Sequence, residues 1–386
     1  MMLAGIGCRE DSASPTGPEP DPALAASSAS LVFRMISGGD FHSCGVTTTD
    51  RAYCWGNNDQ AQLGDNTTTD REAPVAVGRD LRFVQVSAGE KHTCGVSTDS
   101  RVYCWGLNAT GQLGTPTGYR HRLPVLVRGF RFIHVNVGLI HTCAITPDNL
   151  AYCWGNNRWG QLGDGTTITR YTPVPVAGGR RFRRVIAGTV TSCGATLGDR
   201  AFCWGNNDNG TLGDGTTTPR LTPVAVTGGQ SFRQVSTGGG TSCGITPDRR
   251  AYCWGLRVGD GTETRRLSPV PVSGGLSFSQ LDARGFHNCG VTTTARAYCW
   301  GDGFAGGLGD GTETTRLAPT AVIGGLSFSG VSPGAYHTCG VTTGGRAYCW
   351  GHNGEGQIGV GTETGPEECS FGIPCSTKPK AVVGPS

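Results

Sequence analysis

His92-Thr93-Cys94-Gly95-Val96-Ser97-Thr98-Asp99-Ser100-Arg101-Val102-Tyr103-Cys104-Trp105-Gly106 sets two cysteines ten positions apart, the second followed at once by Trp-Gly. The chain writes this arrangement seven times: Cys44 with Cys54, Cys94 with Cys104, Cys143 with Cys153, Cys193 with Cys203, Cys243 with Cys253, Cys289 with Cys299, and Cys339 with Cys349. The first members lie 50, 49, 50, 50, 46 and 50 residues apart. A period near 50 residues that is rich in short β-type segments marks a closed repeat array, in which each unit buries its faces against its neighbours. Seven units is an ordinary blade count. The expectation is an all-β chain forming a seven-bladed β-propeller.

Around the quoted stretch the second repeat supplies four short strands. Phe83-Val84-Gln85-Val86 precedes it, and Pro124-Val125-Leu126-Val127 follows a glycine-rich loop. Alternating β-branched, aromatic and small residues bounded by Gly, Asp and Pro are strand signals. The repeats fall near 33–80, 81–130, 131–179, 180–229, 230–275, 276–325 and 326–386, with 1–32 left outside as a tether. In the first hairpin, Cys44 opposite Cys54 puts Gly45 opposite Tyr53 and Val46 opposite Ala52, about a three-residue bulged turn at Thr48-Thr49-Asp50. A non-hydrogen-bonded pair at that site has the Cα separation for a disulfide. Tyr53 is then expected to cover Gly45, an aromatic compensating a weak strand position. Trp55 shares the parity of Tyr53, so each blade is expected to set an aromatic face against the sulfur face of the next.

Seventeen cysteines resolve into the seven repeat pairs, a further pair of Cys369 with Cys375, and the single Cys8. So many argue for an oxidising compartment, with all eight pairs expected as disulfides. A C-x9-C spacing lacks the short ligand separation of zinc sites, and no metal or cofactor is expected. Charged residues are 16% with a net charge of +3 and no basic stripe, which gives no footprint for nucleic acid. No apolar run approaches the roughly 18 residues of a membrane helix. Met1 to Cys8 reads MMLAGIGC, ahead of a Ser/Pro/acidic stretch. Small residues before a lone cysteine resemble the end of a bacterial lipoprotein signal, with Cys8 the lipidated residue. The alternative is a disordered tail with a stray thiol.

The pattern G-x-x-H-[ST]-C-[GA]-[VI]-T, then [AV]-[YF]-C-W-G-x-N-x-x-G-Q-L-G, resembles the repeat of the regulator of chromosome condensation family. The resemblance runs from 33 to 384 and implies a seven-bladed propeller. For function it implies less. The family includes a nuclear exchange factor for a small GTPase, a plant ultraviolet-B receptor and a secreted bacterial inhibitor of β-lactamase. A photoreceptor would need clustered extra tryptophans, whereas seven of the eight here are the repeat Trp and only Trp159 is additional. The one long insertion, 365–377, is closed by the pair of Cys369 and Cys375 and is no wedge.

Positions common to the seven units serve folding, and those that vary are free to serve the task. The turn before the repeat histidine and the loop after Trp-Gly emerge on one face. Their variable positions gather Phe41, Glu90, Lys91, Leu139, Ile140, Arg158, Trp159, Phe286, Phe304 and Tyr336, the composition of a protein-binding surface. Blade 5 has lost four residues from the second loop, around Trp254-Gly255-Leu256-Arg257-Val258-Gly259, which predicts a notch. The repeat histidines 42, 92, 141, 287 and 337 read as structural, and the Asp-Gly-Thr loops at Asp164, Asp214, Asp260 and Asp310 as turns rather than calcium sites. Asn66, Asn108 and Asn209 stand in glycosylation sequons, which matter only in a eukaryotic host.

No Ser, Cys or Asp stands apart with its own His, so no catalytic residue is assigned. The resulting expectation is a monomeric, extracellular or surface-tethered protein-binding propeller, periplasmic or outer-membrane if lipidated, acting as an inhibitor of a secreted or periplasmic enzyme. Two alternatives stand beside it. One is a guanine-nucleotide exchange factor, and the other a propeller hydrolase or lyase with a deep axial pocket and shifted acids.

Overall fold

A computed structural model describes residues 31–78 and 80–385, so Cys8 and most of the segment expected to be a tether lie outside the described residues. Seven antiparallel sheets surround an axis, six of them with their four strands in chain order. Blade 1 consists of Phe33–Gly38, His42–Thr47, Ala52–Gly56 and Arg71–Ala76. The first strands of successive blades touch one another all the way round, which makes them the inner lining. Blade 7 takes its fourth strand, Ile373–Ala381, from the end of the chain, and Glu367–Cys369 adds a fifth along its edge. No strand is exchanged to close the ring among the described residues. Phe33 N–H donates to the Gly345 carbonyl at 2.8 Å across the seam, as Phe83 N–H donates to Asp50 at 2.9 Å between blades 1 and 2.

The hairpin register is Cys44 opposite Cys54, Gly45 opposite Tyr53 and Val46 opposite Ala52. The other blades repeat it, with Cys94 opposite Cys104, Cys143 opposite Cys153, Cys193 opposite Cys203, Cys243 opposite Cys253, Cys289 opposite Cys299 and Cys339 opposite Cys349. Cα atoms of the seven pairs stand 4.0–4.1 Å apart, the close spacing of non-hydrogen-bonded partners, and the sulfurs of every pair are joined as disulfides. Asp50 closes the turn in the left-handed region at φ 62°. The ring over Gly45 is not Tyr53, however, but Phe33 of the first strand. A β-carbon on Gly45 would stand 2.6 Å from Phe33 Cδ1. A bulge between Phe33 and Met35 shifts the register there and changes which face Phe33 presents.

Between blades the expected contact of aromatic face with sulfur face holds. Cys44, Val46, Cys54 and Leu63 of blade 1 form one cluster with Phe83, Val86 and Trp105 of blade 2. Cys143 and Cys153 of blade 3 meet Phe182 and Trp204, Cys193 and Cys203 of blade 4 meet Phe232 and Trp254, and Cys243 and Cys253 of blade 5 meet Phe278 and Trp300. Cys289 and Cys299 of blade 6 pack on Phe328 and Trp350, and Cys339 and Cys349 of blade 7 return the contact to Phe33 and Trp55 of blade 1. Trp105 also donates its indole N–H to the Gln62 carbonyl at 2.9 Å, joining the two blades by a hydrogen bond as well as by packing.

The loop after Trp-Gly is held from within. Asn157 donates to Asp164 and to the Thr166 carbonyl while its own oxygen accepts from Leu162 N–H at 3.0 Å. Asp164 accepts from the amide and hydroxyl of Thr166 and from Arg170, so this acid is a turn clasp. Asn108 is buried and donates to the carbonyls of Thr115, Thr117 and Gly118, which removes it as a glycosylation acceptor. Among the described residues no helix is long and apolar enough to cross a membrane.

Candidate functional site

The Gly-x-x-His turns ring one mouth of the axis, and the histidine in each fixes its turn. His42 Nε2 lies 2.8 Å from Thr93 Oγ1 of the next blade, whose hydroxyl donates to the Gln62 carbonyl, so the imidazole donates to the threonine. His92 to Thr142, His141 to Ser192, His287 to Thr338 and His337 to Ser43 repeat the link. Burial holds His92, His141 and His337 down to about 3 and His287 to about 4, so all are neutral near pH 7. These groups are mortar.

Inside this mouth lies a cavity of about 520 Å³ along the axis. Its two sides differ. Blades 6, 7 and 1 present Phe286, Tyr336 and Phe41, whereas blades 4 and 5 present Thr189, Gly238, Gly239 and Gly240. The rings touch: Phe286 stacks on Tyr336 with centroids 5.3 Å apart, Phe304 meets Tyr336 edge-on at 5.4 Å, and Phe41 lies 6.2 Å from Tyr336. Phe304 is backed in turn by Ile373 and by the disulfide of Cys369 with Cys375. The insertion on blade 7 thus supports the aromatic wall and carries Phe371, 92% exposed, at its turn.

Four charged side chains also line the cavity: Asp40, Arg184, Asp282 and Arg284. Burial raises Asp282 above the usual carboxylate range, opposed by Arg184, Gln280 and Arg284. It likewise raises Asp40, opposed by Arg284. Arg284 is itself pulled down by burial, with Asp40 and Asp282 acting against the fall. Among the described residues its guanidinium makes no ion pair and no hydrogen bond within the chain.

The sequence-derived surface residues divide on this geometry. Phe41, Leu139, Phe286 and Tyr336 line the cavity, and Phe304 stands behind Tyr336. Trp159 is exposed with the Arg158 guanidinium 5.7 Å over its ring, and neither lines the cavity. Ile140 is half-buried outside the cavity lining. Glu90, half-buried, is raised by burial and by Asp40, and Lys91 lies 3.8 Å from Asp59. Sequence reasoning missed Arg184, Asp282 and Arg284. A signal for Arg284 existed: the other six units have glycine there, at Gly39, Gly89, Gly138, Gly188, Gly238 and Gly334.

The sequence matches the RCC1-like domain over residues 4–330 and the regulator of chromosome condensation (RCC1) repeat over residues 328–357. The chain belongs to the RCC1-like domain family. No curated protein matches it significantly. Among solved structures, this RCC1-like propeller is similar to human WBSCR16, with 20% identity, a TM-score of 0.73, and 79% of this chain and 85% of that one covered. It is also similar to yeast RCC1 (Prp20) in its complex with Kap60, with 19% identity, a TM-score of 0.70 and 78% of each chain covered. The ectodomain of the Arabidopsis thaliana receptor kinase ACR4 is 22% identical with a TM-score of 0.53, covering 83% of this chain and 96% of that one. At such identities the likeness is one of fold. Arg284 in place of the repeat glycine is a feature of this chain's own sequence.

Proposed function

We propose that this RCC1-like propeller is a non-catalytic recognition module. It works as a monomer outside the cell or tethered at its surface, and inhibits a secreted or periplasmic enzyme by binding it. One observation carries the reading: Phe41, Phe286, Phe304 and Tyr336, from three blades, form a single ring-to-ring surface at the axial mouth. Clustered aromatics, partly exposed and rigidly backed, are what protein-binding hot spots consist of. The partner that fits is a folded protein with an apolar protrusion that can enter the mouth, since the charges inside cancel. Sixteen cysteines joined in eight pairs are compatible with an oxidising location. The likeness to a receptor ectodomain is in keeping with it.

Guanine-nucleotide exchange is the second reading, favoured by family membership and by the likeness to Prp20, whose structure was described with its binding to Gsp1p and histones. The experiment is to immobilise the protein, cross-link it to the secreted proteins of its producing cell, and compare wild type with F41S/F286S/Y336S and with W159S. The triple variant is expected to keep its melting temperature and lose its partner by about a hundredfold in affinity, while W159S keeps it. Equal recovery by the triple variant refutes the aromatic mouth as the binding surface. Accelerated GDP release from a small GTPase would put exchange in its place.

A further inference from the structure

Arg284 occupies a position where the repeat has no room for a side chain. At Gly39 a β-carbon would stand 2.5 Å from the Gly89 carbonyl of the next blade and 2.7 Å from its own histidine ring, and at Gly89 it would stand 2.6 Å from the Gly138 carbonyl. Blade 6 escapes these contacts by local rebuilding. Its first strand runs one residue further, Phe278–Arg284, with Arg284 paired opposite His287. Gly285, at φ 53°, takes over the contact with the neighbouring blade. Gly239 N–H donates to the Gly285 carbonyl at 3.1 Å, as Asp40 N–H donates to Gly89 at 3.0 Å and Leu139 N–H to Gly188 at 3.2 Å. The departure from the repeat delivers one cation to the axis.

That cation is left unsatisfied by the chain. A half-buried guanidinium loses part of its hydration, and although Asp40 and Asp282 act on the charge of Arg284 from a distance, it has neither ion pair nor hydrogen bond among the described residues, so its N–H donors are open to the cavity. Its fork of N–H donors matches a carboxylate in two-point contact. Three aromatic rings stand on the same side of the cavity, and Gly238, Gly239 and Gly240 of the adjoining blade 5 add no side chains to the lining beside Arg284. The volume, about 520 Å³, lies within the range of small-molecule sites. Two arginines face two acids in this lining, so a dianion would meet both carboxylates, whereas a single carboxylate can be held by Arg284 with little repulsion.

We propose that the axial cavity is a ligand site for a monocarboxylate with an apolar or aromatic body, the carboxylate held by Arg284 and the body lying against Phe286, Tyr336 and Phe41. Such a group comes either from a free small acid or from the C-terminal residue of a peptide. The site shares these three rings with the protein-binding reading but does not rest on it, because what singles it out is the cavity and the Arg284 cation, and the Arg284 variants leave the rings in place.

The test is calorimetric titration of the full chain with N-acetyl-L-phenylalanine, N-acetyl-L-phenylalanine amide, and a tripeptide ending in Phe as free acid and as amide. Proteins compared are wild type, Arg284→Gly, which restores the residue of the other six units, and Arg284→Met, which keeps the bulk. The acids are expected to bind wild type and the amides not. Both variants are expected to weaken acid binding by about tenfold or more with the melting temperature unchanged. Tighter binding of the tripeptide identifies a chain end as the source, and tighter binding of the single acid identifies a free small molecule. Equal binding of acid and amide, undiminished binding by whichever variant folds, or no heat from either acid up to millimolar concentration overturns the proposal.

Discussion

Trp300 shows how closely each repeat residue depends on its neighbours. Six of the seven repeat tryptophans donate their indole N–H to a carbonyl of the preceding blade, from Trp55 to Gln357 at 3.0 Å through Trp350 to Gly307 at 3.0 Å. Trp300 is fully buried and its Nε1 has no partner among the described residues. The cause lies in blade 5, whose shortened loop ends with Val258 and Gly259 against this ring and puts Arg257, at φ 49°, at the position that supplies the accepting carbonyl in the other blades. A buried donor without a partner costs free energy that a paired one does not. Trp300→Phe is therefore expected to destabilise the protein by about 1 kcal/mol less than Trp154→Phe, since both lose similar packing and only the second loses a hydrogen bond. Urea or thermal unfolding of the two variants measures the difference, and equal losses would show that Trp300 finds a partner in solution.

At the scale of strands, legibility follows locality. The register of each hairpin is readable because cysteines ten positions apart, placed opposite, fix every pair between them. The position of Phe33 is not, because it depends on a bulge in a neighbouring strand that leaves no mark in the hairpin. Five rim residues share one site, but Phe41 meets Tyr336 only because the ring closes, and no spacing within a repeat encodes that. Arg284 is visible as a broken glycine but lies one position outside the variable pair of the turn.

The second-strand histidines carry a prediction at this scale. Their folded values, about 3 for His92, His141 and His337 and about 4 for His287, lie below the ordinary 6.5. Between those values the unfolded chain binds protons that the folded one refuses, so stability is complete above pH 6.5 and falls as the pH drops. The loss is up to about 1.4 kcal/mol per pH unit for each histidine. The clasp aspartates Asp65, Asp164, Asp214 and Asp260 are held below their usual 3.8, because hydrogen bonds from Thr, Arg and Asn outweigh the opposing effect of burial. Their loss begins only near pH 4; between 6.5 and 4 the histidine loss is offset only in part by the buried carboxyls of Asp282, Asp40 and Glu90, which are raised in the folded chain and gain stability as they protonate. Melting temperature is expected to be level from pH 8 to 7 and to fall steadily from 6 to 4. A flat profile to pH 4 contradicts neutral, buried imidazoles.

The whole ring is a cycle of seven nearly equivalent joints, so its weakest joint decides where it opens. The seam between blades 7 and 1 is complete: His337 to Ser43 at 2.8 Å, Trp55 to Gln357 at 3.0 Å and Phe33 to Gly345 at 2.8 Å. The joints on either side of blade 5 are not. Thr191 and Thr241 replace the linking histidines of blades 4 and 5, and each hydroxyl turns back to a carbonyl of its own blade, Asn206 and Leu256. The joint to blade 6 also lacks the Trp300 bond, and Asn288 reaches the Arg257 carbonyl only at 3.3 Å. Local opening follows the distribution of such ties rather than the position of the chain ends. Native-state amide exchange is therefore expected to be fastest, among the blade cores, in the strands between Gln234 and Pro271, with the seam between blades 7 and 1 protected like the rest. Gly238, Gly239 and Gly240 of blade 5 form part of the cavity wall against Arg284 and Gly285, so an opening there would widen the site beside Arg284. A carboxylate ligand held by Arg284 should then slow exchange in blade 5 more than in blade 2. Fastest exchange at the seam instead would mean that the covalent break between the chain ends, not the missing interblade ties, sets the stability of the ring.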